Sequence, residues 1–319
     1  MRFLFSTFLL FQLSASAQNF TSKHFQLQKL APNVYAAIAK NGGAAICNAG
    51  VIDMGTEVLV FDPCLTPEAA EDLNRFIKAH LKKPVRYVVN SHSHNDHIRG
   101  TQVFSNATVI GTSIMRQAIL ESEPTDIKDE AASAPKRVRY YDSIPKAKDA
   151  WQAEEDLLWK GYYNGMARSI PHLKTTPPNL LFSDSLTIKG TFTDVQLISF
   201  GDGHTPSDLF MYLPKEKIAF MGDLLFIDMH PWLGYSKPLN WISYLNKVQA
   251  LGINTFIPGH GPSGTSAEID TMIGYIKKLL QLGQQKKENA KLEIALPEEY
   301  KHWHLRNFFK YNVSFATKL

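Results

Sequence analysis

Apolar and polar positions along this chain repeat in two periods, and the order of those periods sets the expected architecture. Between Asn33 and Pro63 the pattern is β: Val34 to Ala39, then Ala44 to Ile52, then Val58 to Phe61. Thr66 followed by Pro67 has the form of a helix start, an N-cap and then a first helical position. Leu73, Phe76, Ile77, His80 and Leu81 recur at helical spacing, which predicts an amphipathic helix ending before Pro84. Val85 to Val89 reads as a strand, Ala107 to Ile110 as a shorter one, and Thr112 to about Ser122 as a helix. The β pattern returns at Leu180 to Phe182, Leu186 to Ile188 and Val195 to Phe200, followed by a hairpin of Asp208 to Leu213 and Lys217 to Met221. A helix over Asn240 to Leu251 presents Trp241, Leu245 and Val248 on one face and stops at Gly252. Thr255 to Ile257 is a strand, and a long helix starts near Ser266 and runs to about Gln285. Strands alternating with helices predict an α/β fold built in layers.

Residues 121–179 break this rhythm. The stretch is charged and punctuated by proline, yet Trp151, Trp159, Tyr162 and Tyr163 lie in its middle and Ala147 to Met166 has helical character. That aromatic content argues against disorder and predicts a helical insertion packed over the main body. The expected organisation is one domain over residues 18–290 carrying the 121–179 insertion, then a mixed aromatic and basic tail over 291–319 to which the pattern assigns no place. At the other end, Arg2, the apolar run Phe3 to Leu13 and Ala15-Ser16-Ala17 have the form of a signal peptide over residues 1–17, cleaved before Gln18. The apolar run is too short for a permanent membrane span, so an exported protein, periplasmic or secreted, is expected.

Composition narrows the function classes. The 319 residues carry a formal net charge of +4 spread along the chain. No basic stripe interleaves with aromatics, so nucleic acid is not an expected partner and a small-molecule substrate is. Cys47 and Cys64 flank a hairpin turning at Asp53 to Thr56, which leaves open both a disulfide and two buried thiols.

The chemistry concentrates in Ser91-His92-Ser93-His94-Asn95-Asp96-His97-Ile98, directly after the strand Val85 to Val89. Three imidazoles and a carboxylate this close repel and desolvate one another unless a cation holds them, and both group types are ordinary zinc ligands. His92, His94 and Asp96 share a side on an extended backbone, whereas His97 joins only if the chain turns there, which suggests two adjacent metal positions. Three further signals place a glycine-bounded polar residue after an apolar strand: Gly203-His204-Thr205, Gly222-Asp223 and Gly259-His260-Gly261. Shared between two divalent ions, these residues divide into His92, His94 and His204 for one and Asp96, His97 and His260 for the other, with Asp223 bridging. His24, His80, His172, His302 and His304 read as surface or packing residues. His230 and Trp232, in Met229-His230-Pro231-Trp232, are candidates for lining the substrate pocket.

The ordered set HSHNDH at 92–97, GHTPSD at 203–208, GD at 222–223 and PGHG at 258–261 resembles the metallo-β-lactamase superfamily over roughly Asn33 to Ile276. The resemblance implies a four-layered αβ/βα sandwich with a dinuclear zinc site at one edge of the sheets, iron or manganese being the alternative metals. It further implies that Asp62 orients a ligand histidine. The implied chemistry is hydrolysis of an amide, ester or thioester, a β-lactam or lactone among them, by a hydroxide between the two ions, with Asp96 orienting it. Two alternatives within the resemblance are an iron-dependent sulfur oxidoreductase and a metal-binding protein without turnover. His97 and Asp223 depart from the B1 lactamase pattern, which has arginine and cysteine there, and Phe226 stands where many B1 enzymes carry a carboxylate-gripping lysine. The ligand set is closer to the glyoxalase II, lactonase and phosphodiesterase branches.

Overall fold

The computed structural model describes residues 20–319, in which twelve strands form two sheets. The leader expected over residues 1–17 lies outside the described residues. The first sheet contains β1 (Phe25–Ala31), β2 (Val34–Ala39), β3 (Ala49–Asp53), β4 (Val58–Phe61), β5 (Val85–Val89), β6 (Thr108–Thr112) and β7 (Leu180–Phe182), in that spatial order. Its first four strands are antiparallel and β4 to β7 run parallel. The crossovers carry α1 (Pro67–Phe76), the single turn α2 (Asn95–Ile98), α3 (Ser113–Ser143) and α4 (Ala150–Ser169). The second sheet contains β8 (Ser185–Ile188), β9 (Val195–Gly201), β10 (Asp208–Leu213), β11 (Ile218–Phe220) and β12 (Thr255–Ile257), ordered β12-β11-β10-β9-β8. Here α5 (Pro238–Gln249) connects β11 to its parallel neighbour β12, and α6 (Ser266–Glu288) and α7 (Arg306–Ala316) follow.

Three apolar clusters account for four layers. Phe61, Ile52 and Leu59 of the first sheet meet Phe220, Leu197 and Met211 of the second in the central one. Val51, Val60 and Val88 on the outer face of the first sheet pack against Leu73, Phe76 and Ile77 of α1 and its continuation. Phe210, Ala219 and Phe256 on the outer face of the second sheet meet Trp241, Ile276 and Phe309 of α5, α6 and α7. This is the αβ/βα sandwich. β3 and β4, in the interior of the first sheet, are buried on both faces and so read as apolar runs rather than alternating ones. Each buried large side chain contributes about 1.5–3 kcal/mol of transfer free energy.

The structure departs from the sequence reading in four places. β1 precedes the expected start at Asn33; it is an edge strand whose Phe25 turns inward while its neighbours stay half-exposed. β3 begins at Ala49 rather than Ala44, because residues 44–48 form an irregular segment that enters the site. Helix α3 passes through Pro124 and Pro135 instead of ending near Ser122. Proline in a helix interior costs about 3 kcal/mol. Packing of α3 on α4 and a buried anchor described below offset that cost. Finally, the tail forms α7, whose Phe309 and Val313 join the same core as α6. Cys47 and Cys64 are both buried and free. Thr66 caps α1 by accepting from the Ala69 amide.

Candidate metal centre

β5, β9, β11 and β12 end at one edge of the sandwich, and the candidate donors all follow those ends. His92 and His94 lie on the extended segment after β5, while Asp96 and His97 fall on the helical turn α2. His204 lies between β9 and β10, Asp223 sits in a 3-10 turn after β11, and His260 follows β12. The change from extended to helical backbone at Asn95 turns Asp96 and His97 toward His260, while the His97 ring stays 4.3 Å, centroid to centroid, from that of His92. The seven residues consequently assemble as two groups: His92, His94, His204 and Asp223, and Asp96, His97 and His260.

The spacing of donor atoms permits a test of fit. A zinc bond of about 2.0–2.1 Å in tetrahedral geometry implies donor-to-donor edges of about 3.4 Å. In the first group Asp223 Oδ2 lies 3.3 Å from His204 Nε2 and 3.7 Å from His92 Nε2, and His204 Nε2 lies 3.2 Å from His94 Nδ1. In the second, Asp223 Oδ1 lies 3.1 Å from His97 Nε2 and 3.3 Å from His260 Nε2. Asp96 Oδ2 is 3.2 Å from His260 Nε2 and 3.5 Å from His97 Nε2. The two oxygens of Asp223 therefore face different groups. His92 Nε2, His97 Nε2 and Asp223 Oδ1 are buried without a hydrogen-bond partner. Unpaired buried polar atoms carry a desolvation cost, so their convergence is what a cation site requires.

Electrostatics point the same way. Burial pushes His92 and His94 below the ordinary histidine range and His204 down to about 3, which leaves neutral imidazoles suited to bind a cation. In the other group burial again opposes charge, but Asp223 and Asp96 overcome it and raise His260 to about 9. Burial likewise works against a charged His97, and the neighbouring Cys47, Asp223, Asp96 and Asp62 raise it. The carboxylates there demand positive charge.

Outer partners aim the rings. His97 Nδ1 donates to Asp62 Oδ2 at 2.8 Å, and the other oxygen of Asp62 accepts from the Ser91 amide at 2.7 Å. His260 Nδ1 donates to the Ile46 carbonyl at 3.2 Å. Ile46 holds φ at 67°, a region that β-branched residues rarely adopt. Such partners orient a ligand and commit its other nitrogen to the site.

The site opens into a cavity of about 560 Å³. Trp232 lines it, but His230 does not: its imidazole is fully buried, with Nδ1 2.7 Å from the Tyr275 hydroxyl and packed against Trp303. The expectation of a pocket role for His230 is thus corrected. Residues 225–237 form a loop without strand or helix periodicity, so the sequence pattern does not say which of its side chains face the cavity.

Several supporting residues escaped the sequence reading. Asn48 donates to the carbonyls of Pro258 and Gly261, so it clamps the loop carrying His260. Asp208 accepts from the Gly203 and Thr205 amides and from the Thr205 hydroxyl, which closes the loop around His204. Its place in GHTPSD was the available signal. Asn95 donates to Glu130 of α3 at 2.7 Å and contacts Tyr162 of α4, tying the metal-facing turn to the insertion.

Comparisons with known proteins follow the same geometry. A family model described as the metallo-beta-lactamase superfamily matches residues 42–260. The alkyl/aryl-sulfatase BDS1 of Saccharomyces cerevisiae is 24% identical over 223 residues, 64% of this chain. The chain spans only 31% of that curated relative's length. A metallo-beta-lactamase from Pontibacter korlensis superposes with a TM-score of 0.58 at 16% identity, covering 79% of this chain and 99% of that one. The metallo-beta-lactamase FIM-1 from Pseudomonas aeruginosa, in its mono-zinc form, gives 0.56 at 16% identity, covering 80% and 96%. At these identities the two structures establish the likeness of fold.

Proposed function

Because the chain belongs to the metallo-beta-lactamase superfamily, we propose that it is an exported metal-dependent hydrolase opening an amide, ester or thioester bond at a pair of divalent cations. The observation that carries this reading is the pair of donor groups joined through the two oxygens of Asp223. His92, His94 and His204 would hold one cation and Asp96, His97 and His260 the other. Zinc suits an all-nitrogen-and-oxygen set at tetrahedral spacing, and elemental analysis would separate it from iron or manganese. Cations bound there would supply Lewis acidity toward the carbonyl oxygen of the scissile bond and would lower the pKa of a bound water toward neutrality.

The protein's own share is positional. Asp62 and the Ile46 carbonyl aim the nitrogens of His97 and His260 at the site before substrate arrives. Asp96 is more open to the cavity than Asp223, with its side chain 15% exposed against 5%. It accepts a hydrogen bond from the attacking water and orients it. Trp232 forms part of the substrate wall.

A second reading, hydrolysis of a sulfate ester, has one observation in its favour: the likeness to the alkyl/aryl-sulfatase. A panel of β-lactams, lactones, thioesters, phosphodiesters and aryl sulfates, run beside elemental analysis, tests both. The expected result is turnover of at least one class, lost on chelation and restored by zinc. Asp96→Ala lowers that turnover by about 10²-fold or more. A metal-loaded protein inert on the whole panel, or unimpaired by Asp96→Ala, overturns the hydrolase reading.

A further inference from the structure

The cavity beside the donor groups is walled by three segments far apart in sequence. Leu158 and Trp159 come from α4 of the insertion, Met229 and Trp232 from the loop after β11, and Leu305 and Phe308 from the C-terminal segment. Their rings form one continuous surface. Phe308 meets Trp159 at 6.2 Å between centroids with planes at 80°, and Trp232 at 5.3 Å with planes at 65°. All three are half-buried, so each keeps a face toward the cavity. Edge-to-face contact of this kind fixes the rings relative to one another.

Outside the donor groups the charged residues on the lining are Lys40 and Asp126. Among the described residues Lys40 is the one Lys or Arg on it, and its ammonium donates to the Ser22 carbonyl at 2.8 Å. Phe226 stacks on His260 at 5.1 Å with planes at 15°, which extends the apolar surface to the donor atoms themselves. A substrate here meets cation-binding groups at one end and aromatic rings at the other, with Lys40 the single cationic side chain among the described residues that line the cavity.

Resting on the hydrolase reading, we propose that the substrate carries an apolar alkyl or aryl group on the scissile bond, and that Trp159, Trp232 and Phe308 are the specificity-determining residues that seat it. The insertion and the C-terminal helix are then parts of the substrate site. Their mutual attachment keeps the wall intact. The Leu305 amide donates to the buried Glu155 carboxylate at 2.9 Å, and the Trp151 indole donates to the His302 carbonyl at 3.1 Å.

Two measurements test this. The first is kcat/KM for 4-nitrophenyl acetate, butyrate and octanoate, for the matching thioesters, and for butyl and octyl sulfate. Each methylene fully buried is worth about a fourfold gain, so the step from four to eight carbons gives at least about tenfold in the series that is turned over. The second is binding of butyrate, octanoate and octyl sulfate, read by tryptophan fluorescence in the metal-loaded and the metal-stripped protein, which needs no turnover. Tighter binding of the eight-carbon ligands is expected in both. Trp159→Ala and Phe308→Ala flatten both dependences, costing the octanoate at least about tenfold more in kcat/KM than the acetate, and Phe308→Leu retains part of the slope. A binding series flat in chain length in the wild type, or an unchanged slope in both alanine variants with native circular dichroism, overturns the proposal. Absence of turnover with an intact binding slope instead sinks the hydrolase reading alone.

Discussion

Replacing Arg99 by methionine tests how the insertion is held against the metal-facing turn. Arg99 follows α2 directly and is 3% exposed. Its Nε donates to Glu123 Oε1 at 2.6 Å, one terminal nitrogen reaches Glu123 Oε2 at 3.2 Å, and the other reaches Glu130. Glu123 is 4% exposed, so Arg99→Met strands a buried carboxylate, at an expected cost of about 3–5 kcal/mol. For a chain of this size, at about 2 °C per kcal/mol, the midpoint of thermal unfolding falls by about 6–10 °C. Glu130 is cushioned, because its Oε1 also accepts from Asn95 and from the Tyr162 hydroxyl. The double variant Arg99→Met/Glu123→Met removes both charges and recovers most of the loss, since a buried pair replaced by apolar groups of similar volume is often neutral. Burial raises the Glu123 carboxyl above its ordinary range even beside Arg99, and without the guanidinium it rises further. A carboxyl raised in the folded state stabilises only at low pH, and that contribution disappears as pH climbs through the folded value. The single variant is therefore nearly normal at about pH 5 and clearly defective at about pH 8. Circular dichroism melts of wild type, both singles and the double at those two values are the assay. At about pH 8, a single-variant loss below about 1 kcal/mol, or a double variant no better than Arg99→Met, refutes the reasoning.

Three other perturbations address the donor groups. Asp62→Ala removes the partner of His97 Nδ1 and is expected to weaken zinc binding by about 10–100-fold, measured by competition with a chromophoric chelator. Gly259→Ala would set a Cβ 2.0 Å from Asp223 Oδ1, so a folded variant should hold less than its full complement of zinc by elemental analysis. Stripping the metal lowers the unfolding midpoint: with free zinc at about a thousand times its dissociation constant, binding adds about 4 kcal/mol. An unchanged melt on chelation would mean that the converged donors hold no ion in the native protein.

The elements that local chemistry determines were readable in the chain. Thr66-Pro67 starts α1 because a hydroxyl cap and a fixed φ need only their own neighbours. The strands β4, β5, β10 and β12 lie where apolar runs end at turn residues. The HSHNDH run and the glycine-bounded His204, Asp223 and His260 declared a shared chemistry before any contact was known. What stayed hidden depends on tertiary contact. Helix α3 continues past Pro124 because Arg99, far outside it, anchors Glu123 and Glu130. The insertion approaches the main body so closely that a Cβ at Gly161 would lie 2.4 Å from the Gly43 carbonyl oxygen. His230 could not be told from a pocket residue, because its place is decided by Tyr275 on α6.

The same division explains the two halves of the site. Each donor lies just past the end of a strand, and the sandwich brings those strand ends together at one edge, so the convergence of the donors is tied to the fold. The aromatic wall has the opposite character. Trp159, Trp232 and Phe308 belong to the insertion, a loop and the C-terminal helix, all outside the sheets. Those segments are free to differ without disturbing the donors, provided that contacts such as Asn95 to Glu130 keep the metal-facing turn in place. Under the proposed function, substrate choice would accordingly be separable from metal binding: changes in the wall should move chain-length preference, and changes at Asp62 or Gly259 should move metal content.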